Sequence, residues 1–399
     1  MKPVILTFTS FYLPGCRGGG PIRTITNMVE HLGDDFDFHI VTTDRDLGDK
    51  QPYPNVRVDA WNVVGKAKVF YASATTRSLT GVAQLMRDTP HDLLYLNSFF
   101  NPRFTLLPMF ARWLGLAPKQ PLVVAPRGEF SAGALSIKSW KKKPFIKLAG
   151  ISGLFDGAYW HASTEMEASD IQRTLTVPTV LHKIAIAPDL FEKVEHSFAL
   201  KTSDDEITGR ALRVCFLSRI APMKNLEYAL GVLAQVIAPI DFNIYGPKED
   251  AEYWGKCQTL IDDLPANIHV MYCGSVDHTE VNKVISRHDI FFVPSRGENF
   301  GHVFIESLSA GVPILVSDQT PWRELQSRGL GWDIPLDQPE KFVKAIEEAA
   351  QLSDVQRRQM RLCCLDFTQQ KNDDPSALKL NRALFSQALA SGNRPTELS

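Results

Sequence analysis

The chain predicts an α/β protein built from two Rossmann-like domains with parallel sheets, and three observations carry that prediction. Short apolar runs alternate with helical patterns through both halves, a charged stretch without periodicity divides them, and 399 residues exceed what one ordinary core organises. In the first half the apolar runs are Val4 to Phe8, Phe38 to Thr42, Leu93 to Leu96 and Leu122 to Ala125, with helical patterns near 22–32, 78–88 and 104–114. In the second they are Leu212 to Leu217, Phe242 to Tyr245, Ile268 to Tyr272, Ile290 to Val293 and Ile314 to Ser317, with helices near 225–236, 250–262 and 279–287. Residues 188–210 lose regular periodicity, and KTSDDEITGR is the clearest linker. The reading is a first domain at 1–190, a linker at 191–210, a second domain at 211–372 and a terminal segment at 373–399, where 376–390 reads as an amphipathic helix.

Bulk properties narrow the class. A hydrophobic fraction of 44% argues against extensive disorder, and a formal charge of −2 gives no global attraction to nucleic acid. Six cysteines stand without metal-ligand spacing and read as reduced thiols. The amino terminus, MKPVILTFTSFYLPG, lacks the long apolar core of a signal peptide, and no eighteen-residue apolar run occurs. The expectation is a cytoplasmic protein.

Taken in order, four first-half segments invite chemistry. PGCRGGGPIRTITNMVEHL sets Gly18, Gly19 and Gly20 between a strand and a helix opened by Pro21; glycine lets backbone approach a phosphate closely, though turns need glycine anyway. Arg17 and Arg23 are either helpers there or solvated surface. The pairs Asp35/Asp37 and Asp44/Asp46 imitate a metal-binding DxD but lie away from the stronger motifs and read as surface, so no metal ligand is assigned. Arg127, Gly128 and Glu129 follow a strand end: Arg127 binds an acceptor phosphate while Glu129 orients a hydroxyl, or the two form a structural pair. Beyond them Lys138, Lys141, Lys142, Lys143 and Lys147 interleave with Trp140, Phe145, Ile146 and Leu148, which suits either contact with anionic lipid or an ordinary surface helix. His161 precedes a helix capped by Ser163 or Thr164, with Glu167 placed for a capping box; it is an acceptor contact or a buried, satisfied histidine.

The second half carries the sharper pattern. In LSRIAPMKNLEYAL, Arg219 and Lys224 follow a strand and precede a helix, where two cations neutralise a diphosphate or simply remain solvated. Gly246, after FNIY, shapes a loop. The most informative stretch is PSRGENFGHVFIESLSAGVPILVSD, residues 294–318. Its strand stops at Pro294 to Gly297, a helix starts near Gly301 and ends at Gly311, and a second strand follows. Open N–H groups at that helix start, with the positive end of its dipole, form a phosphate site. Five helical residues at about 1.5 Å each put Glu306 roughly 7 to 8 Å beyond Gly301, with Glu298 still in the loop. Two acids on either side of a phosphate are explained if each accepts hydrogen bonds from hydroxyls on the groups that phosphate joins.

A Glu, seven residues and a second Glu within PS…E.FG….E…AG.P resembles the retaining glycosyltransferases of family 4, as does the Arg219…Lys224 segment. That resemblance implies a GT-B fold, two Rossmann-like domains facing each other across a cleft with a nucleotide sugar lying mainly on the second. It implies Glu298 on the sugar, Glu306 on the ribose, and Asn299, Phe300, Gly301, His302 and Val303 around the donor. Gly19 and Gly20 would face the nucleotide, and Val276, after CGS, would lie near the base. Members commonly have Gly where this chain has Asn299, and many place a histidine near the strand end at Arg127, where this chain has none.

The expected activity is retaining transfer of a hexosyl-type group from a nucleotide diphosphate sugar to an acceptor hydroxyl without a metal or other cofactor. Glu298, Arg219 and Lys224 carry the catalytic roles. The expected acceptor is a saccharide, lipid-linked and part of cell-surface or exported polysaccharide assembly, with peripheral contact at an anionic inner-membrane surface and no nucleic acid partner. A nucleotide-sugar epimerase of the same fold and a noncatalytic membrane-surface protein are the alternatives. A nicotinamide dehydrogenase fits least, because no GxGxxG with a later acid follows the first strand.

Overall fold

A computed structural model describes residues 1–175, 183–192 and 210–392. Most of the expected linker, 193–209, lies outside the described residues. The chain forms two compact units, Met1–Glu192 with Pro375–Ser399, and Lys193–Asp374.

The first unit holds an eight-stranded sheet: β1 (Val4–Phe8), β2 (Asp37–Thr43), β3 (Trp61–Val64), β4 (Ala67–Ala72), β5 (Leu93–Leu96), β6 (Leu122–Val124), β7 (Tyr159–Ala162) and β8 (Ile184–Ile186). Their order is β3-β4-β2-β1-β5-β6-β7-β8, with every neighbouring pair parallel except the hairpin β3–β4. Four strands escape the periodicity reading. β3 and β4 join through Gly65, and β7 and β8 are only four and three residues long. The sheet's faces are filled by fully buried residues such as Leu6, Phe8 and Leu94 on one side and Ile5, Phe38 and Tyr95 on the other, the alternation a strand imposes. The carboxyl-terminal helix Ser376–Gly392 seals the second face: Phe385 is fully buried against Phe36, Phe38 and Tyr95. Arg382 Nε donates to Asp35 Oδ2 at 2.6 Å and Asn381 Nδ2 to the Pro188 carbonyl at 2.8 Å, which anchor the helix on the same unit.

The second unit holds a six-stranded, wholly parallel sheet: β9 (Leu212–Leu217), β10 (Ile240–Tyr245), β11 (Ile268–Gly274), β12 (Ile290–Val293), β13 (Ile314–Ser317) and β14 (Gly331–Ile334). The order is β11-β10-β9-β12-β13-β14. The four residues of β12 and of β13 are all buried, which is why they read as unbroken apolar runs. From β9 the chain adds strands first toward one edge, through β10 and β11, and then toward the other, from β12 to β14. The carboxyl ends of β9 and β12 therefore form the topological switch point at which open α/β sheets hold ligands.

Among the described residues, no helix is long and apolar enough to cross a membrane.

Candidate active site

The loops leaving β9 and β12 are stitched together. After β9 the chain passes Arg219 and makes a single turn at Pro222–Lys224, and Asn225 then starts the helix Leu226–Leu233 from a left-handed conformation, φ 60°. Asparagine tolerates that conformation better than most residues. Its buried side chain ties the loops: Nδ2 donates to the Pro294 carbonyl at 3.1 Å, and Oδ1 accepts from Arg296 Nε at 3.0 Å. Arg296 N donates to the Met223 carbonyl at 2.8 Å, and the Arg296 guanidinium also pairs with Glu227. With the backbones locked, Lys224 Nζ reaches the Glu298 carboxylate directly. Their side chains are only 15% and 16% exposed, so Lys224 is not a freely solvated cation and Glu298 is not a free loop acid.

Glu298 leads into the helix His302–Ser309, whose N-terminal residue Gly301 has φ 80° and whose first turn has no side-chain cap. A Cβ on Gly301 would lie 2.4 Å from Phe304 Cδ2 and 3.2 Å from Glu298 Cγ, so the position demands glycine for space as well as conformation. Phe304 N donates back to the Gly301 carbonyl at 2.8 Å, and no side chain caps the first turn, which His302 and Val303 open. The preceding loop is pinned by Glu298 N donating to the Gln319 carbonyl at 3.1 Å and by Trp322 Nε1 donating to the Phe300 carbonyl at 2.7 Å. Phe300 and His302 pack ring to ring at 4.9 Å, and Asn299 lies between Glu298 and Phe300 in the same loop. Glu306 is half-buried in the second turn. The helix ends as expected near Gly311, φ 73°, with Val312 N donating to the Ser307 carbonyl.

Arg219 stands beside Gly246, where a Cβ would meet the Ser218 carbonyl oxygen at 1.9 Å. Only glycine allows the end of β10 to approach β9 so closely. Arg219 NH1 donates to Glu249 Oε2 at 2.7 Å with both side chains more than a third exposed, a surface ion pair that holds the guanidinium at the strand end. Val276 is half-buried in the connection between β11 and the turn His278–Glu280. Sequence reasoning missed Asn225, Arg296 and Glu249. Of these only Asn225 had a local signal, as a favoured residue type just before a helix.

In the first unit, Gly19 has φ 72° at the start of the helix Gly20–Leu32, which likewise has no side-chain cap. Arg17 pairs with Asp49 at 2.5 Å. The acceptor-side expectations require correction. Arg127 and Glu129 do not pair with each other, and both spend their polar atoms on interior partners. Arg127 NH1 donates to Asp189 Oδ1 at 2.6 Å, Nε to Asn97 Oδ1 at 2.7 Å and NH2 to the Tyr95 hydroxyl at 2.6 Å. Burial disfavours its charge, but the Asp189 carboxylate more than offsets this and holds the arginine firmly protonated. Glu129 accepts from Ser98 Oγ, Phe99 N and Phe100 N, and burial pushes its pKa up. His161 is 1% exposed, with Nε2 at 2.8 Å from the Ala187 carbonyl and Nδ1 at 2.9 Å from the Tyr95 hydroxyl. A carbonyl only accepts, so Nε2 carries the proton and Nδ1 receives the tyrosine's. Burial, then the Arg127 charge, lowers the His161 pKa to about 4. These residues are an internal brace joining the ends of β5, β6, β7 and β8.

Asp44 and Asp46 are also not the surface residues the sequence suggests, being 2% and 7% exposed. Asp44 is held by Arg45, and Asp46 accepts from the amides of Cys16, Arg17 and Leu47. Among the described residues no group of three His, Cys, Asp or Glu is placed to hold a metal ion.

The lysine-rich run forms the helix Ser139–Ile151 with Pro144 inside it. Phe145, Ile146 and Ala149 turn inward, whereas Trp140, Leu148 and Ile151 are 73%, 63% and 75% exposed. Lys138, Lys141, Lys143 and Lys147 are exposed beside them. Lys142 is the exception: its Nζ donates to the Ala134 carbonyl at 2.6 Å and lies over the Phe100 ring, so it leaves the basic face.

Residues 200–361 match the family model described as glycosyl transferases group 1. The chain is 24% identical over 289 residues to an uncharacterized 41.2 kDa protein in the cps region of Klebsiella pneumoniae, covering 69% of this chain and 76% of that protein. It is 26% identical over 158 residues to a phosphatidyl-myo-inositol mannosyltransferase of Mycobacterium tuberculosis, covering 38% and 40%. The crystal structure of Anabaena HepE in complex with UDP and glucose superposes with a TM-score of 0.68 at 15% identity, over 98% of this chain and 100% of that one. The fold is therefore GT-B, and the match to the group 1 glycosyltransferase model falls on the second unit, whose paired loops form the candidate site. The protein is a glycosyltransferase.

Proposed function

We propose that the chain is a retaining glycosyltransferase of family 4 that moves a hexosyl-type group from a nucleotide diphosphate sugar to an acceptor hydroxyl. The observation that carries this reading is the contact of Lys224 with Glu298 beside the uncapped helix start at Gly301. One cation, one carboxylate and the first-turn amides of a helix converge at the sheet's switch point, the chemistry a diphosphate joined to a polyol requires.

As the sugar–phosphate bond breaks, negative charge grows on the departing diphosphate and positive charge on the sugar. Lys224, Arg219 and the amides of His302 and Val303 stabilise the former, in a site where their positions are already set. Glu298 accepts from sugar hydroxyls and keeps Lys224 aimed at the phosphate. Glu306 accepts from the ribose, and Val276 lies by the base. The resemblance assigns Gly19 and Gly20 of the first unit to the nucleotide as well. The departing phosphate takes the acceptor proton, so no metal or cofactor enters the scheme.

Three further points support the substrate reading. The mannosyltransferase relative and the UDP and glucose complex of the Anabaena neighbour both concern hexoses. The mannosyltransferase relative is named for a phosphatidyl lipid, and the Klebsiella relative for its cps region. Between Glu129 and Asp156 the chain has no acidic residue, and its exposed Trp140, Leu148 and Ile151 lie among exposed lysines, a composition suited to an anionic membrane surface. That arrangement supports peripheral attachment at the cytoplasmic membrane face, with a lipid-linked saccharide as acceptor.

The test begins with thermal unfolding of the chain in UDP, GDP and ADP sugars, since a ligand that binds the native state raises the midpoint. The stabilising donor is then incubated with saccharide acceptors, and the product's anomeric configuration is read by NMR. Absence of stabilisation by every nucleotide sugar, or an inverted product, rejects the reading.

A further inference from the structure

Residues that neither the motifs nor the proposed donor chemistry use surround a cavity of about 350 Å³ in the first unit. Its lining comes from chain leaving four strands at their carboxyl ends: Phe11 after β1, Thr43 and Arg45 to Asp49 at and beyond the end of β2, Ala74 and Arg77 after β4, and Arg103 after β5. This is the ligand-holding end of a parallel sheet, and the volume lies at the lower end of ordinary ligand pockets, about 300 to 1,000 Å³.

Charge distinguishes it. Arg45, Arg77 and Arg103 all line the cavity. Arg45 forks onto Asp44 through Nε and NH2, both at 2.9 Å. Arg77 donates from NH1 to Thr43 Oγ1 and from Nε to the Ser73 carbonyl, each at 3.1 Å, with its NH2 3.6 Å from Asp44. Its side chain is only 10% exposed, and burial, opposed by Asp44 but joined by the charges of Arg103 and Arg45, holds its pKa down. The nearby carboxylates are already engaged: Asp44 by two arginines, Asp46 by three backbone amides, Asp49 by Arg17. Arg103 is exposed; its backbone amide donates to Asn101 Oδ1, and its guanidinium makes no hydrogen bond or ion pair among the described residues. Arg17, Arg45 and Arg77 thus each meet a carboxylate, whereas the exposed Arg103 at the cavity wall has no ion-pair partner among the described residues.

We infer that this cavity binds an anionic group, a carboxylate or phosphate monoester, carried by the sugar acceptor, with Arg103 closing on it and Arg77 beneath. The inference rests on the glycosyltransferase reading for the word acceptor, but not for the anion site itself. An acidic sugar and a phosphate-bearing saccharide share this chemistry.

The experiment measures binding of three probes to the full chain by calorimetry in saturating UDP: methyl glucuronoside, glucose 1-phosphate and neutral methyl glucoside. Blocking the donor site with UDP keeps glucose 1-phosphate from occupying it. At least one anionic probe should bind about tenfold or more tightly than the neutral one, the size expected of a charge-assisted contact, and Arg103→Ala should abolish that preference with an unchanged unfolding midpoint. Preference for the glucuronoside assigns an acidic sugar; preference for glucose 1-phosphate assigns a phosphate-bearing acceptor. Equal binding of all three probes, or a preference that survives Arg103→Ala, overturns the inference. If UDP does not bind, GDP or ADP, whichever the chain does bind, takes its place; failure of all three would instead count against the donor reading, and the probes would then be compared without a nucleotide.

Discussion

Lys224 and Glu298 meet across the join between β9 and β12, and the contact is made by loops held together through Asn225 rather than by the two charges alone. A half-buried ion pair is weak evidence for stability, because desolvation offsets much of its Coulombic gain. Its value here is positional: the carboxylate holds the ammonium at the switch point.

Removing Lys224 should therefore affect turnover more than folding. Lys224→Ala should lower kcat at saturating donor by about 10²- to 10³-fold, the range for loss of one fixed transition-state donor. Glu298→Gln should also lower kcat, and the double variant should lose less than the product of the two, since the residues act as a unit. Steady-state kinetics of nucleotide release would check this; fully independent effects would separate the pair.

Glu306 offers a cleaner test of donor geometry. Glu306→Ala should weaken UDP binding by about tenfold while leaving affinity for 2′,3′-dideoxy-UDP nearly unchanged, because only the former offers hydroxyls to the carboxylate. An equal loss for both nucleotides, measured by calorimetry, would remove Glu306 from the ribose.

Gly301→Ala should damage both fold and site. The left-handed backbone costs about 1 kcal/mol for an L-residue, and the new Cβ would overlap the Phe304 ring, 2.4 Å away. A lowered unfolding midpoint together with lost UDP binding is expected.

The internal brace predicts a pH dependence. His161 has its folded pKa lowered from 6.5 to about 4, so its contribution is complete above about pH 6.5 and is lost as the pH falls toward 4. The maximum effect is on the order of 3 kcal/mol. Glu129 and Glu167, raised by burial, act in the opposite sense, becoming less unfavourable as the pH falls. Comparing unfolding free energies from pH 7 to 4 in the wild type and in His161→Gln isolates the histidine. The variant should show the shallower acid-side loss, and identical slopes would refute the assignment.

If the helix Ser139–Ile151 touches anionic lipid, replacing Lys141, Lys143 and Lys147 by Glu should reduce co-sedimentation with phosphatidylglycerol vesicles by about a hundredfold or more, at roughly 1 kcal/mol per lysine lost. Binding to phosphatidylcholine vesicles should change little. Lys142, folded back onto Ala134 and Phe100, should matter least of the four.

Much of this site could be read from residue order because its parts are local. The run from Pro294 to Asp318 contains its own strand end, turn, helix start and helix stop, and each is dictated by glycine, proline and apolar spacing within a few residues. The short strands β7 and β8 and the hairpin β3–β4 were less legible, since three to six residues give periodicity little to work with and their pairing comes from the sheet around them.

Residue type alone misled where burial decides the role. Arg127 and Glu129 are residues one would choose for handling an acceptor, yet both find their partners in the interior, through side chains distant in sequence: Asp189 and Tyr95 for the first, Ser98 for the second. His161 takes the buried, satisfied alternative, with Tyr95 as its side-chain partner. Asp44 and Asp46 likewise become anchors for arginine and backbone. Amino-acid order thus specified the α/β alternation and the glutamate-bearing helix, because those follow from short-range backbone preference and from which faces must leave water. Which charges remain available for chemistry depended on the packing of distant strands, because a charged group's role is set by whichever partners the fold brings within hydrogen-bonding distance.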